Sequence, residues 1–191
     1  MQPDDLKEWL RARPDATKQQ EAFWLVARAA GRSLPLLHTT NLPSVHVESL
    51  HGLFTLLACL RLLAVNHSPE MEDFLRASAR MKHKYNGDGE DLASVVGNAQ
   101  SAIFVGQSIL KDPTDVRVFA ASARALSEVG CEAAGGAALT SDVAFVEAGV
   151  WNKTDIPLWP EGTPTPLGKA WESFAVFNKI GFRLALLGRL V

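Results

Sequence analysis

Apolar residues recur along most of this chain every three or four positions, the spacing that places them on one side of an α-helix. The strict alternation typical of strands is nearly absent. The pattern therefore predicts an all-α fold with helices near 3–13, 16–31, 43–66, 69–85, 89–110, 113–129, 141–151 and 166–189.

Three of the predicted helix starts combine a capping residue with a proline. The cap oxygen accepts a hydrogen bond from a free backbone N–H, and proline at the first helical position loses no hydrogen bond. These pairs are Ser68-Pro69, Asp112-Pro113 and Thr165-Pro166.

Other residues mark helix boundaries in different ways. Thr17 and Gln20 have the spacing of a capping box. Gly130 predicts the C-terminal end of the sixth helix. The segment 131–139 is ambiguous, because Gly135 and Gly136 weaken an otherwise alanine-rich helix.

The predicted helix at 43–66 is apolar on nearly every face in its second half, which is typical of a helix surrounded by others. We expect it at the centre of a bundle of seven to eight helices. No break in composition divides the chain, so residues 1–191 are predicted to form one domain. The longest apolar run, 53–65, is too short to cross a bilayer, and no transmembrane segment is expected.

Composition narrows the possible functions. The chain has 191 residues, of which 47% are apolar and 21% are charged, as in ordinary globular proteins. The net charge of −2 lacks the basic excess of a nucleic-acid-binding protein. Cys59 and Cys131 have no metal-type spacing and fit a reducing cytoplasm. No cofactor motif is present, so no cofactor is expected.

One candidate metal site lies in the predicted central helix. Glu48 and His51 have the Glu-x-x-His spacing, which puts both side chains on one face, and di-iron helical bundles use this spacing twice. No second copy is found here. The alternative interpretation is a partly exposed first helical turn, in which the helix dipole favours Glu48.

A candidate catalytic pair follows. Arg61 and His67 are separated by five residues, a spacing that resembles the ribonuclease motif of the helical HEPN family. The resemblance implies that the histidine acts as an acid or base and that the arginine binds the phosphate charge, without a metal. In the alternative, Arg61 extends from a core helix and His67 lies at its C-terminal end.

The fourth predicted helix carries a basic patch. Arg76, Arg80 and Lys84 lie on one face and offer a surface for a phosphate or an acidic partner. A solvated helix with segregated charge is the alternative, since cations are favoured in the last turn of any helix.

The segment 151–171 is rich in proline and tryptophan. A stiff loop with aromatic anchors suits protein recognition, and its candidate contact residues are Trp151, Trp159, Pro160 and Trp171. The loop is equally compatible with a strap that Trp159 pins between helices. The last predicted helix is basic and amphipathic, a pattern that suits either docking on its own bundle or lying on a membrane surface. It is also a second candidate contact surface.

Two segments together resemble an uncharacterised alanine-rich, all-helical bacterial family. One runs from Asp142 to Trp171 and contains Pro157-Leu-Trp-Pro-x-Gly162-x-Pro164, and the other holds Leu6-Lys-Glu-Trp-Leu10 and Ala27-Arg-Ala-Ala-Gly-Arg32. The resemblance implies an all-helical bacterial domain and no known reaction. We therefore expect a non-enzymatic helical module in the bacterial cytoplasm that binds another protein or itself.

Overall fold

The computed structural model describes Met1, 3–33, Leu36, 109–151 and 156–168. These residues form four helices, α1 (Pro3–Arg11), α2 (Asp15–Ser33), α3 (Arg117–Ser127) and α4 (Glu132–Glu147), and a helical turn at 165–168. They contain no strand, so the predicted helical class is confirmed for the described part. The predicted central helix at 43–66 lies outside the described residues, as do the predicted helix at 69–85 and most of those at 89–110 and 166–189.

Helix α1 begins at Pro3 and buries Leu6 and Leu10, which lie one turn apart, completely. Its next residues turn the chain at Pro14, whose carbonyl accepts hydrogen bonds from the backbone N–H groups of Thr17 and Lys18 at 3.1 and 2.9 Å. Helix α2 therefore begins at Asp15, and Thr17 lies inside its first turn. The predicted capping box at Thr17 is wrong for this reason.

Helix α2 is the most deeply buried element of the described chain. Between Glu21 and Ser33, Arg28 alone retains intermediate exposure. The helix packs against α3 and α4, while α1 packs against α3. A helix that is buried on all sides lies at the centre of its layer, so α2 takes that position among the described helices.

The start of α3 corrects a prediction. Asp112 does not cap a helix that begins at Pro113; its Oδ1 instead accepts hydrogen bonds from the backbone N–H and the hydroxyl of Thr114, at 2.9 and 2.7 Å. These bonds hold a turn, and α3 begins later, at Arg117. Capping residues serve turns as readily as helix starts, which is why the sequence signal was misplaced.

Two glycines end α3 and α4. Gly130 and Gly149 have φ angles of 71° and 67°, in the left-handed region. Beyond each of them a backbone N–H bonds back into the helix, from Cys131 to Leu126 at 2.8 Å and from Val150 to Phe145 at 3.1 Å. The predicted stop at Gly130 is confirmed.

Helix α4 differs from the predicted helix at 141–151. It begins at Glu132, passes through the two glycines without a break, and ends at Glu147. The segment 131–139 that sequence left ambiguous is therefore mostly helical. Beyond α4, Trp159 and Leu167, the latter in the helical turn at 165–168, contribute to the core.

Candidate functional site

Two arginines of α2 converge on one carboxylate of α4. Arg28 and Arg32 are one helical turn apart and so lie on the same face. Arg28 Nε lies 2.7 Å from Oδ1 of Asp142, and Arg32 Nη2 lies 2.6 Å from Oδ2. Asp142 is fully buried and Arg32 is 2% exposed. We call these three residues the clamp.

The two halves of the clamp differ in geometry. Arg28 donates a hydrogen bond to Oδ1, whereas the short contact between Arg32 and Oδ2 is an ion pair without a well-directed hydrogen bond. Burial raises the pKa of Asp142, against the opposing effect of the guanidinium groups of Arg32 and Arg28. Burial also lowers the pKa of Arg32, against the effect of Asp142. For both Asp142 and Arg32, removal from water therefore shifts the pKa more than the attraction between the opposite charges does.

The remaining guanidinium donors hold the loop that follows α4. Arg28 donates from Nη1 to the carbonyl of Ile156 at 3.1 Å and from Nη2 to the carbonyl of Pro157. Arg32 donates from Nε to the carbonyl of Leu158 at 3.0 Å. Three consecutive carbonyl groups are thus bound by charged donors, and such bonds are about twice as strong as neutral ones.

Tryptophan rings complete this attachment. The guanidinium carbon of Arg28 lies 4.7 Å from the ring centre of Trp24, and that of Arg32 lies 5.6 Å from the ring centre of Trp159, both within cation–π range. Trp159 is 6% exposed and belongs to the core. Among the residues that the structure describes, none accepts a hydrogen bond from its buried Nε1.

Beyond Trp159 the loop turns into solvent. The backbone N–H of Gly162 donates to the carbonyl of Trp159 at 3.1 Å, and Gly162 has a φ angle of 86° that favours glycine. Residues 160–163 are exposed. We call 156–164 the braced loop and 160–163 its tip.

A second polar set connects α1 to its neighbours. Arg13 donates from Nε and Nη2 to both carboxylate oxygens of Glu21, at 2.7 and 2.9 Å, and this hydrogen bonding raises the pKa of Arg13. Trp9 donates from Nε1 to Glu147 at 2.9 Å. These contacts fix α1 against α2 and α4 and leave no reactive group free within the set.

A cavity bounded by described residues lies between α2, α3 and α4 and has a volume of about 370 Å³. Its buried polar side chains include Arg32 and Ser122. The Ser122 hydroxyl donates to the carbonyl of Ala29 and lies 2.8 Å from the Ser33 hydroxyl. The hydrogen-bonding groups of Arg32 and Ser122 already bind other parts of the protein, so they are not available to bind a ligand in this cavity.

The predicted contact residues fall in different environments. Trp151 is half-buried, Trp159 is buried and Pro160 is exposed. Trp171 lies outside the described residues. The same holds for every residue of the candidate metal site, catalytic pair and basic patch: Glu48, His51, Arg61, His67, Arg76, Arg80 and Lys84.

Sequence reasoning missed the clamp. Arg28 and Arg32 interrupt a run of small apolar residues, and Asp142 directly precedes the apolar run Val143-Ala-Phe-Val146. Charges in such positions signal a buried ion pair. That signal was present, but it does not say which charges meet.

Within the described ranges, no group of three or more potential metal ligands is found. The helices in these ranges lack the length and apolar character needed to cross a membrane. Comparisons with protein-family models, curated proteins and solved structures found no match to this chain. The resemblance to the alanine-rich bacterial family stays a prediction.

Proposed function

We propose that this protein is a non-enzymatic helical interaction module of the bacterial cytoplasm, a single domain of seven to eight helices that binds another protein or a second copy of itself. One observation supports the proposal above the others. The braced loop is fixed from below by buried charges and by Trp159, while its tip, 160–163, remains exposed.

The bracing is stronger than a connection requires. In a loop that only joined two helices, the main-chain carbonyl groups could accept hydrogen bonds from water, and no charged side chain would need to be buried. Here Arg28 and Arg32 are withdrawn from water to bind three of them. Burying such charges costs several kcal/mol per ion before the compensating contacts are counted. Burying these charges against the loop holds the loop in a fixed conformation.

A fixed loop suits binding because it is already ordered. Each flexible side chain or loop segment that a partner must immobilise costs about 0.5–1.5 kcal/mol. Pro157, Pro160 and Pro164 restrict the backbone further, since proline fixes φ. The tip therefore reaches a partner in a conformation that needs little further ordering.

The experiment compares tip variants as bait in a lysate of the source organism. Glu161→Lys reverses the charge of the exposed tip, and Ala144→Lys introduces a lysine at an exposed position of α4. Both variants should keep the unfolding midpoint of the wild-type protein. Bound proteins are quantified by mass spectrometry, and self-association is measured by sedimentation velocity.

We expect at least one protein, or the chain's own dimer, to be lost with Glu161→Lys and kept with Ala144→Lys. A partner set and an oligomeric state that are identical for the wild-type protein and both variants would refute the interaction function of the tip.

A further inference from the structure

A small groove lies between the braced loop and α4, and it has a volume of about 150 Å³. Its α4 wall includes Ala134, Ala137 and Ser141, and its loop wall includes Trp159 and Pro160. Pockets for drug-sized ligands measure about 300–1,000 Å³. The α4 groove therefore has room for about one side chain, which is the size of an anchor in a protein–protein interface.

The indole of Trp159 is the unusual part of this wall. The residue is 6% exposed, and its Nε1–H has no acceptor among the described residues. A buried unpaired donor costs about 1–3 kcal/mol. Because Nε1 has almost no accessible surface, it is not open to a ligand, and Trp159 contributes its ring to the groove wall as part of the fixed loop.

The rim of the groove is acidic. Glu161 lines it and is exposed. Among the ion pairs of the described residues, none includes Glu161. A free carboxylate at the mouth favours a cation beside the anchor and disfavours an acidic one.

We propose that the α4 groove receives a neutral side chain from an extended segment of a partner protein, with a lysine or arginine next to it. The anchor packs against Trp159 and the alanines of α4 that line the groove, and the basic neighbour pairs with Glu161. This inference rests on the proposed interaction function and gives it a site and a partner chemistry.

The probe is a library of random twelve-residue peptides displayed on phage and selected on the full chain. Ala137→Arg fills the groove from an exposed position, and Ala144→Arg is the matched control on the same helix. Selected peptides are synthesised, and their Kd values are measured for both variants and for Glu161→Gln. The Trp159 indole resonance is followed by NMR and assigned with Trp159→Phe.

The expected result has four parts. Enriched peptides carry a basic residue beside a neutral one, and Ala137→Arg weakens their binding more than about tenfold, or 1.4 kcal/mol. Ala144→Arg changes the Kd by less than about twofold, well within one tenfold step. Glu161→Gln weakens binding and reduces its salt dependence. The Trp159 indole resonance moves on binding.

Three results would overturn the docking site. Peptides that bind Ala137→Arg as well as the wild type would place binding elsewhere and leave the interaction function intact. A chain that dimerises until Ala137→Arg is introduced would show that a second copy occupies the groove. If no sequence were enriched from the library, a peptide segment as the occupant of the groove would be excluded. The lysate experiment with the tip variant would still test the broader interaction function.

Discussion

Two adjacent glycines in α4 have different surroundings, and this difference gives a sharp test of the packing. A Cβ atom built on Gly135 would lie 2.7 Å from Cδ1 of Leu126 on α3. A Cβ atom on Gly136 would have no atom within 4 Å. Leu126 is 2% exposed and lines the cavity between α2, α3 and α4, so it makes room by turning into that cavity and losing its present contacts. Gly135 therefore allows α3 and α4 to approach closely, and Gly136 has no such role.

The expected free energies follow from this contrast. Replacing a glycine inside a helix by alanine stabilises the helix by about 1 kcal/mol. Gly136→Ala should keep this gain. Gly135→Ala should lose it, because forcing an extra methyl group into a packed core costs about 1–3 kcal/mol. The two variants should differ by a similar amount, with Gly136→Ala the more stable.

Urea unfolding followed by circular dichroism measures both free energies. Gly135→Ala is also introduced into a Leu126→Ala variant, which lacks the side-chain atom that the new methyl group would contact. In that background Gly135→Ala should become stabilising, and the cycle should give a coupling energy of about 1–3 kcal/mol. If Gly135→Ala stabilises the wild-type protein as much as Gly136→Ala does, the close approach of α3 and α4 is refuted.

Three further predictions concern single groups. Trp159→Ala should lower the free energy of unfolding in urea by about 3–5 kcal/mol because the ring is buried, and Trp159→Phe by less; a loss below about 1 kcal/mol for alanine would contradict its role as a brace. Hydrogen bonds from the Thr114 hydroxyl and backbone N–H lower the pKa of Asp112. Ionised Asp112 therefore contributes to stability above its ordinary pKa of 3.8, and this contribution is lost as pH falls through the lower pKa of the folded state. The difference in urea midpoint between the wild type and Asp112→Asn should therefore shrink in acid. Burial raises the pKa of the Cys131 thiol, which is 2% exposed, so iodoacetamide at neutral pH should modify its peptide in urea and spare it in the native protein; equal labelling would show that the thiol is accessible.

The helices at 3–13 and 16–31 could be predicted because each has a clear apolar face and a proline near its start. Helix α4 could not be located in this way. Its alanines and glycines contribute similar, weak hydrophobicity on every side, so no periodic signal marks where it begins. Packing against α3, which comes close at Gly135, stabilises it, and packing is information that a local pattern does not carry.

The clamp could not be predicted for a different reason. Arg28 and Asp142 are separated by 114 positions, and any of the chain's carboxylates was an equally good partner for the arginine at the level of sequence. Trp159 was recognised as either a brace or a contact residue, and its low exposure now identifies it as part of the core. What decides such cases is which helix faces meet, and this depends on the whole bundle.

The clamp also connects the two segments on which the sequence resemblance was based. Ala27–Arg32 of α2 supplies both guanidinium groups, and 142–159 supplies the carboxylate, the three carbonyl groups and the tryptophan ring that they contact. The segments are distant in sequence but form one physical unit, since the buried Arg32 would not be tolerated in the core without the later segment. A chain that keeps Arg28 and Arg32 must keep an acceptor-rich loop opposite them, and the exposed tip is held in place as a consequence of how the core charges are satisfied.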